Sequence, residues 1–196
     1  MPLDIDQDQR RADVTKAAAK LVAERGISAI TFRNLAAEMG CSTTAISHYF
    51  DNRKAILIET YRFVLDRALR RRTPPPEADQ RTMLASIDPI LPLSAESWDD
   101  WVLWLCFWAE ALFDPELAAV QRHYSGETTR MIEEMLTGLG CPQSDARSLS
   151  RRIMTAIYGV AVQAAFDRDA WPPAVQRAAL HEVIRPLLPN LVLPDE

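Results

Sequence analysis

The 196-residue sequence predicts an all-α protein of about nine helices, with a helix-turn-helix in its N-terminal part. Two observations carry that expectation. Apolar residues recur at helical spacing along most of the chain, and no convincing run alternates in the manner of a strand. Glycine is scarce, at 6 residues, whereas the 13 prolines cluster between the periodic segments, where they end helices.

A first helix is expected over 7–25, where Val14, Ala17, Ala18, Leu21 and Val22 make one apolar face and Gly26 suits the C-terminus. Thr31 is placed to N-cap a short helix over 32–39, with Phe32, Leu35, Ala36 and Met39 inward and Gly40 ending it. Ser42 caps a third helix that reaches about Tyr49, and Asp51 or Asn52 caps a long fourth over 53–72. Residues 73–76 hold three consecutive prolines, which no helix interior tolerates, and mark the most visible boundary. Further helices are expected near 80–91, 96–112, 115–138, 143–168 and 173–188.

At 48% apolar and 25% charged residues, the composition is that of a globular chain able to bury a core. The longest apolar stretch, 101–107, is far shorter than the roughly 20 residues of a membrane span. Residues 1–13 are mostly acidic and polar and do not resemble a signal peptide. A soluble, cytoplasmic protein is expected. Cys41, Cys106 and Cys141 are widely separated and form neither a CxxC pair nor a metal-binding spacing. Cys41 and Cys106 sit in apolar patterns and are expected in the core, and no metal or cofactor is expected.

The net charge of −5 averages two unlike halves. Residues 1–72 carry 13 Lys and Arg against 9 Asp and Glu, a net of +4, and the remainder carries 9 against 18, a net of −9. The positive half is where a DNA-binding surface belongs, because neutralising phosphates releases counterions. The helix pair 32–39 and 43–49 lies there. Ala36 is small where two helices must cross, Gly40 serves the turn, Ile46 is an aliphatic anchor, and Phe50 can lock the second helix to the body.

Residues 31–57, TFRNLAAEMGCSTTAISHYFDNRKAIL, resemble the signature of the TetR family of regulators. The variant STTAISHYF is similar to the BetI-like branch, the choline-responsive repressors, as are the later stretches WLCFWAEALFDPEL and IYGVAVQAAF. The resemblance implies a DNA-binding domain at 1–52 and a ligand-binding and dimerisation domain at 53–196, opening with the connecting helix 53–72. It further implies a ligand-responsive repressor binding a palindromic operator as a homodimer. The sequence departs from the family at Arg53, where lysine is usual, and at Thr44, where glycine is common.

Position assigns roles within the second helix of the pair. Thr43, Thr44 and Ser47 face outward at its N-terminal end, where side chains reach base edges in the major groove. His48 and Tyr49 are placed for phosphate contact, Thr31 adds a hydroxyl and helix N-terminal amides, and Arg33, Arg53 and Lys54 supply charge. Ser42 and Thr31 are first of all caps.

In the second half, Trp98, Trp101, Leu105, Trp108 and Leu112 form one helical stripe, and Trp104, Cys106 and Phe107 extend apolar cover almost all round. Such a helix is expected to be central and buried. Tryptophan rings also cage quaternary ammonium groups, and Glu110 could balance a cation. Trp104, Trp108, Glu110, Tyr124 and Tyr158 are the candidate liners of a site for choline, another amine or an apolar effector. Effector binding there would shift the fourth helix and so change the spacing of the two DNA-reading helices. The small residues Ala156, Gly159, Ala161 and Ala165 permit close helix approach, and the resemblance implies that the last two helices pair across the dimer.

No phosphate loop, metal spacing or Ser/His/Asp set is assembled, which disfavours an enzyme, and His123 and His181 are isolated. A helical binding protein without DNA activity and an activator of the same family are the competing readings.

Overall fold

The structure, a computed structural model, describes residues 3–71, 84 and 86–188, with side chains described from Gln7 onward. Its described α-helices are α1 (Leu3–Arg25), α2 (Phe32–Met39), α3 (Thr43–Ser47), α4 (Arg53–Arg70), α5 (Ala95–Ala111), α6 (Pro115–Gly138), α7 (Gln143–Phe166) and α8 (Pro173–Ile184). Short 3₁₀ turns lie at Ile27–Ala29, Asp88–Ile90 and Arg185–Leu187. No strand occurs among the described residues, as the all-α reading requires. The prolines at 73–76 and most of the helix expected near 80–91 lie outside the described residues.

Most bounds follow the local signals. The third helix is shorter than expected because its last turn tightens: the Tyr49 amide donates to the Ile46 carbonyl at 3.0 Å, three residues back. The last helix gives way to a 3₁₀ turn around Pro186, which has no N–H to continue the ladder.

The chain divides into two compact units, Met1–Leu69 with Val102–Val120, and Arg70–Trp101 with Gln121–Glu196. The apolar face of α1 is buried in the first unit, with Val14, Ala18, Leu21 and Val22 beside Leu35, Ile46 and Phe50 in its core. Tyr61 of α4 stacks on Phe107 of α5, ring centroids 3.9 Å apart and planes inclined by 16°.

The core of the second unit includes Trp101, Ile132, Leu136, Ile153, Ile157, Leu180 and Ile184. The Trp101 indole N–H donates to the Ile90 carbonyl at 2.7 Å, which satisfies the ring's polar atom in the interior. Asp100 is fully buried and pairs with Arg71, whose Nη1 also lies 3.3 Å from Glu96. His181, expected to be isolated, meets Asp88 at 2.8 Å, and Arg177 reaches the same carboxylate at 3.4 Å.

Two expectations of burial are corrected. Leu112 continues the tryptophan stripe by spacing, yet it is 80% exposed because α5 ends at Ala111 and the chain turns there. Cys41 is exposed because it follows the left-handed Gly40, which swings it out of the register of α2. No described helix is long and apolar enough to cross a membrane.

Candidate nucleic-acid interface

The α2–turn–α3 unit is assembled by short-range bonds. Thr31 has extended backbone, and its Oγ1 accepts the Asn34 amide at 3.1 Å. At the far end of α2, Gly40 takes φ 63°, the left-handed region that disfavours a side chain. The Gly40 amide donates to Ala37 at 3.4 Å and the Cys41 amide to Ala36 at 2.9 Å, the paired bonds of a Schellman stop. Ser42 then opens α3, its Oγ accepting the Ala45 amide at 3.1 Å. Both hydroxyls are caps, as the sequence predicts. Replacing Thr31 with alanine is expected to cost about 0.5–2 kcal/mol, read as a lower denaturant midpoint.

Packing decides which face of α3 is left outside. Ile46 and Phe50 are buried, so Thr43, Thr44, Ser47 and His48 are exposed and Tyr49 is half-buried. The Ser47 hydroxyl rests on the Thr44 carbonyl at 3.0 Å. Thr31, Arg33 and Ser42 are exposed alongside. Arg11 of α1, which sequence reasoning missed, donates to the Tyr49 carbonyl and lays its guanidinium 4.6 Å over the Phe50 ring. A cation there also suits the carbonyl end of α3. The contact spans 38 residues, and no local pattern announces it.

Arg53 and Lys54 open α4, and both are engaged. Arg53 makes four hydrogen bonds: Nε to Ile30 O at 3.2 Å, Nη2 to Ile27 O at 3.0 Å, and a fork onto Glu110 at 2.9 and 2.7 Å. The bidentate geometry is the strong form of such a pair. Hydrogen bonding to Glu110 holds the guanidinium's pKa above its ordinary value, against partial burial. The expected phosphate contact and the expected ligand counter-charge therefore occupy each other. Lys54 lies 2.7 Å from Asp114 and 3.1 Å from Glu116, and bonding first to Asp114 and then to Glu116 raises its pKa.

The candidate effector residues fall in different units. Trp104 is buried and Trp108 half-buried in the first unit, where the Trp108 indole N–H stands 3.4 Å from the Tyr61 hydroxyl. Tyr124 and Tyr158 belong to the second. Burial pushes the Tyr158 phenol upward, partly offset by a hydrogen bond with Ser125, and its ring meets Trp101 edge-on at 6.0 Å. A polar groove of about 700 Å³ between α6 and α7 is lined by residues such as Ser125, Thr129, Glu133, Gln143, Arg147 and Arg151, and by none of the five candidates. Burial also pushes the Cys106 thiol above its usual pKa, unlike a reactive cysteine.

A short helix capped by Ser42 and anchored by one buried isoleucine, its hydroxyl-bearing face left open behind the Thr31-capped α2, defines a helix-turn-helix regulator that binds DNA. The chain belongs to the TetR family of transcriptional regulators: residues 14–60 match the bacterial regulatory proteins of that family, and 79–189 match the C-terminal part of BetI-type transcriptional repressors. It is 27% identical over 183 residues to the HTH-type transcriptional regulator BetI of Paraburkholderia phymatum, covering 89% of each chain. It is 23% identical over 200 residues to the regulator PksA of Bacillus subtilis, covering 100% of this chain and 96% of that one. Among solved structures, a transcriptional regulator from Rhodococcus sp. Rha1 superposes with a TM-score of 0.84 at 22% identity, covering 94% of this chain and 99% of that chain. A regulator from Saccharomonospora viridis, solved in complex with choline, gives 0.79 at 22% identity, covering 91% and 96%.

Proposed function

We propose that this regulator is a repressor that binds a palindromic operator as a homodimer and releases it when a small cationic or apolar effector binds. The observation that carries the reading is the exposed row Thr43, Thr44 and Ser47 on a helix held from behind by Ile46. Hydroxyls and a threonine methyl there suit base edges in a major groove, with Thr31, Ser42, Arg33, His48, Tyr49 and Lys54 around them for the backbone. Arg53 reaches phosphate only by leaving part of its present set of partners.

Dimerisation is supported by Phe166 at the end of α7, 82% exposed, and by Val175 and Val183 on α8, each more than 40% exposed. Large apolar groups on two adjacent helices ask for cover, and a twofold dimer sets two copies of α3 about one DNA turn, roughly 34 Å, apart. An amine effector is favoured by the tryptophan-rich α5 and by the choline bound in the Saccharomonospora relative. The place of action is the cytoplasm, where the operator lies.

Selection of bound fragments from random DNA, with and without choline, tests the proposal. The expected result is a palindromic site lost on adding choline. Enrichment of no sequence overturns operator binding, an asymmetric single half-site overturns the dimer, and insensitivity to choline overturns that effector.

A further inference from the structure

The two basic residues that open α4 are held in different ways. Arg53 is braced against backbone carbonyls as well as Glu110 and acts as a strut. Lys54 has its Nζ between two carboxylates, Asp114 Oδ2 at 2.7 Å and Glu116 Oε2 at 3.1 Å. Glu116 is exposed, at 62%, and Lys54 and Asp114 are partly exposed, at 40% and 28%. Asp114 is set in place independently of the lysine, because its other oxygen accepts the amides of Glu116 and Leu117 at 2.9 and 3.2 Å and so caps α6.

An ammonium binds carboxylate and phosphate oxygens by the same charge-assisted hydrogen bonds. We propose that Asp114 and Glu116 stand in for DNA phosphate at Lys54, so that docking on DNA exchanges an internal carboxylate pair for a backbone phosphate. The inference rests on the DNA-binding reading of α3. It makes Lys54 a phosphate ligand held in check: the exchange opposes loose attachment to any DNA, and the two carboxylates, once vacated, repel the phosphates nearby. Vacated carboxylates also take up cations as DNA counterions depart, which flattens the salt dependence of binding.

The test uses the full chain, a selected operator and a random duplex, with affinities measured by fluorescence anisotropy over a range of salt concentrations. The double variant Asp114→Asn, Glu116→Gln keeps both shapes, and asparagine keeps the α6 cap. Affinity for both duplexes is expected to rise about two- to fivefold at low salt, the range set by exposed ion pairs, and the salt slope to steepen by up to about one. In a Lys54→Gln background the same pair of changes is expected to give a clearly smaller gain, that of relieving the carboxylates' repulsion alone. Glu116→Gln alone, which leaves the cap untouched, is expected to give a smaller gain and guards against a folding defect. No gain, or an equal gain with and without Lys54, overturns the inference, as does a fall in affinity accompanied by a lower melting temperature. If the unmodified chain binds neither duplex, the DNA-binding reading fails as well. If it binds and the variants match it, only this inference fails.

Discussion

Phe107→Ala is expected to destabilise the protein by about 3–5 kcal/mol, the range for emptying a buried aromatic site. The ring is fully buried and stacked on Tyr61, itself 2% exposed, so truncation leaves a cavity against a second large ring. For a chain of this length the melting temperature should fall by roughly 6–20 °C. Phe113, six positions later and 90% exposed, is the internal control, and its alanine variant is expected within about 0.5 kcal/mol of the parent. Equal midpoints in urea for the Phe107 variant and the parent would show that the α4–α5 stack contributes nothing.

The second large effect is on DNA. Thr44→Ala and Ser47→Ala are each expected to weaken binding to the selected operator by about 5- to 150-fold, corresponding to about 1–3 kcal/mol for a lost base contact. Affinity for a random duplex should change little, because phosphate contacts carry that part of the binding. Both side chains are exposed, so stability should stay within about 0.5 kcal/mol of the parent. Uniform weakening on operator and random DNA alike would move these residues from base reading to backbone contact.

Side-chain caps close within three residues, and residue type was enough to find them. Thr31, Ser42 and Asn52 each accept an amide three residues ahead; residue type plus the start of an apolar pattern locates the first two and narrows the third to Asp51 or Asn52. The helix-turn-helix was legible for the same reason, since Ala36, Gly40 and Ile46 act over ten residues. Contacts that close over long distances were not. Arg53 and Glu110 stand 57 residues apart, and read singly they suggested a phosphate ligand and an effector's counter-charge. Periodicity placed the tryptophans of α5 on faces of a helix, but it carried no information on which unit each face enters. Trp101 and Tyr158 belong to one, Trp104 and Trp108 to the other. Cys41 and Leu112 were misread at helix ends, where one residue past the last turn reverses the side-chain direction.

The body that carries α3 is discontinuous along the chain, because Val102–Val120 belongs to it as fully as Met1–Leu69 does. A head excised by cutting the polypeptide at the proline-rich connector would leave behind the ring that covers Tyr61, the acid that holds Arg53 and the carboxylates that hold Lys54. Chimaeras that graft one regulator's reading head onto another's sensor should therefore carry the 102–120 corner along with the head, treating the three-dimensional body, and not the stretch of gene, as the unit of exchange.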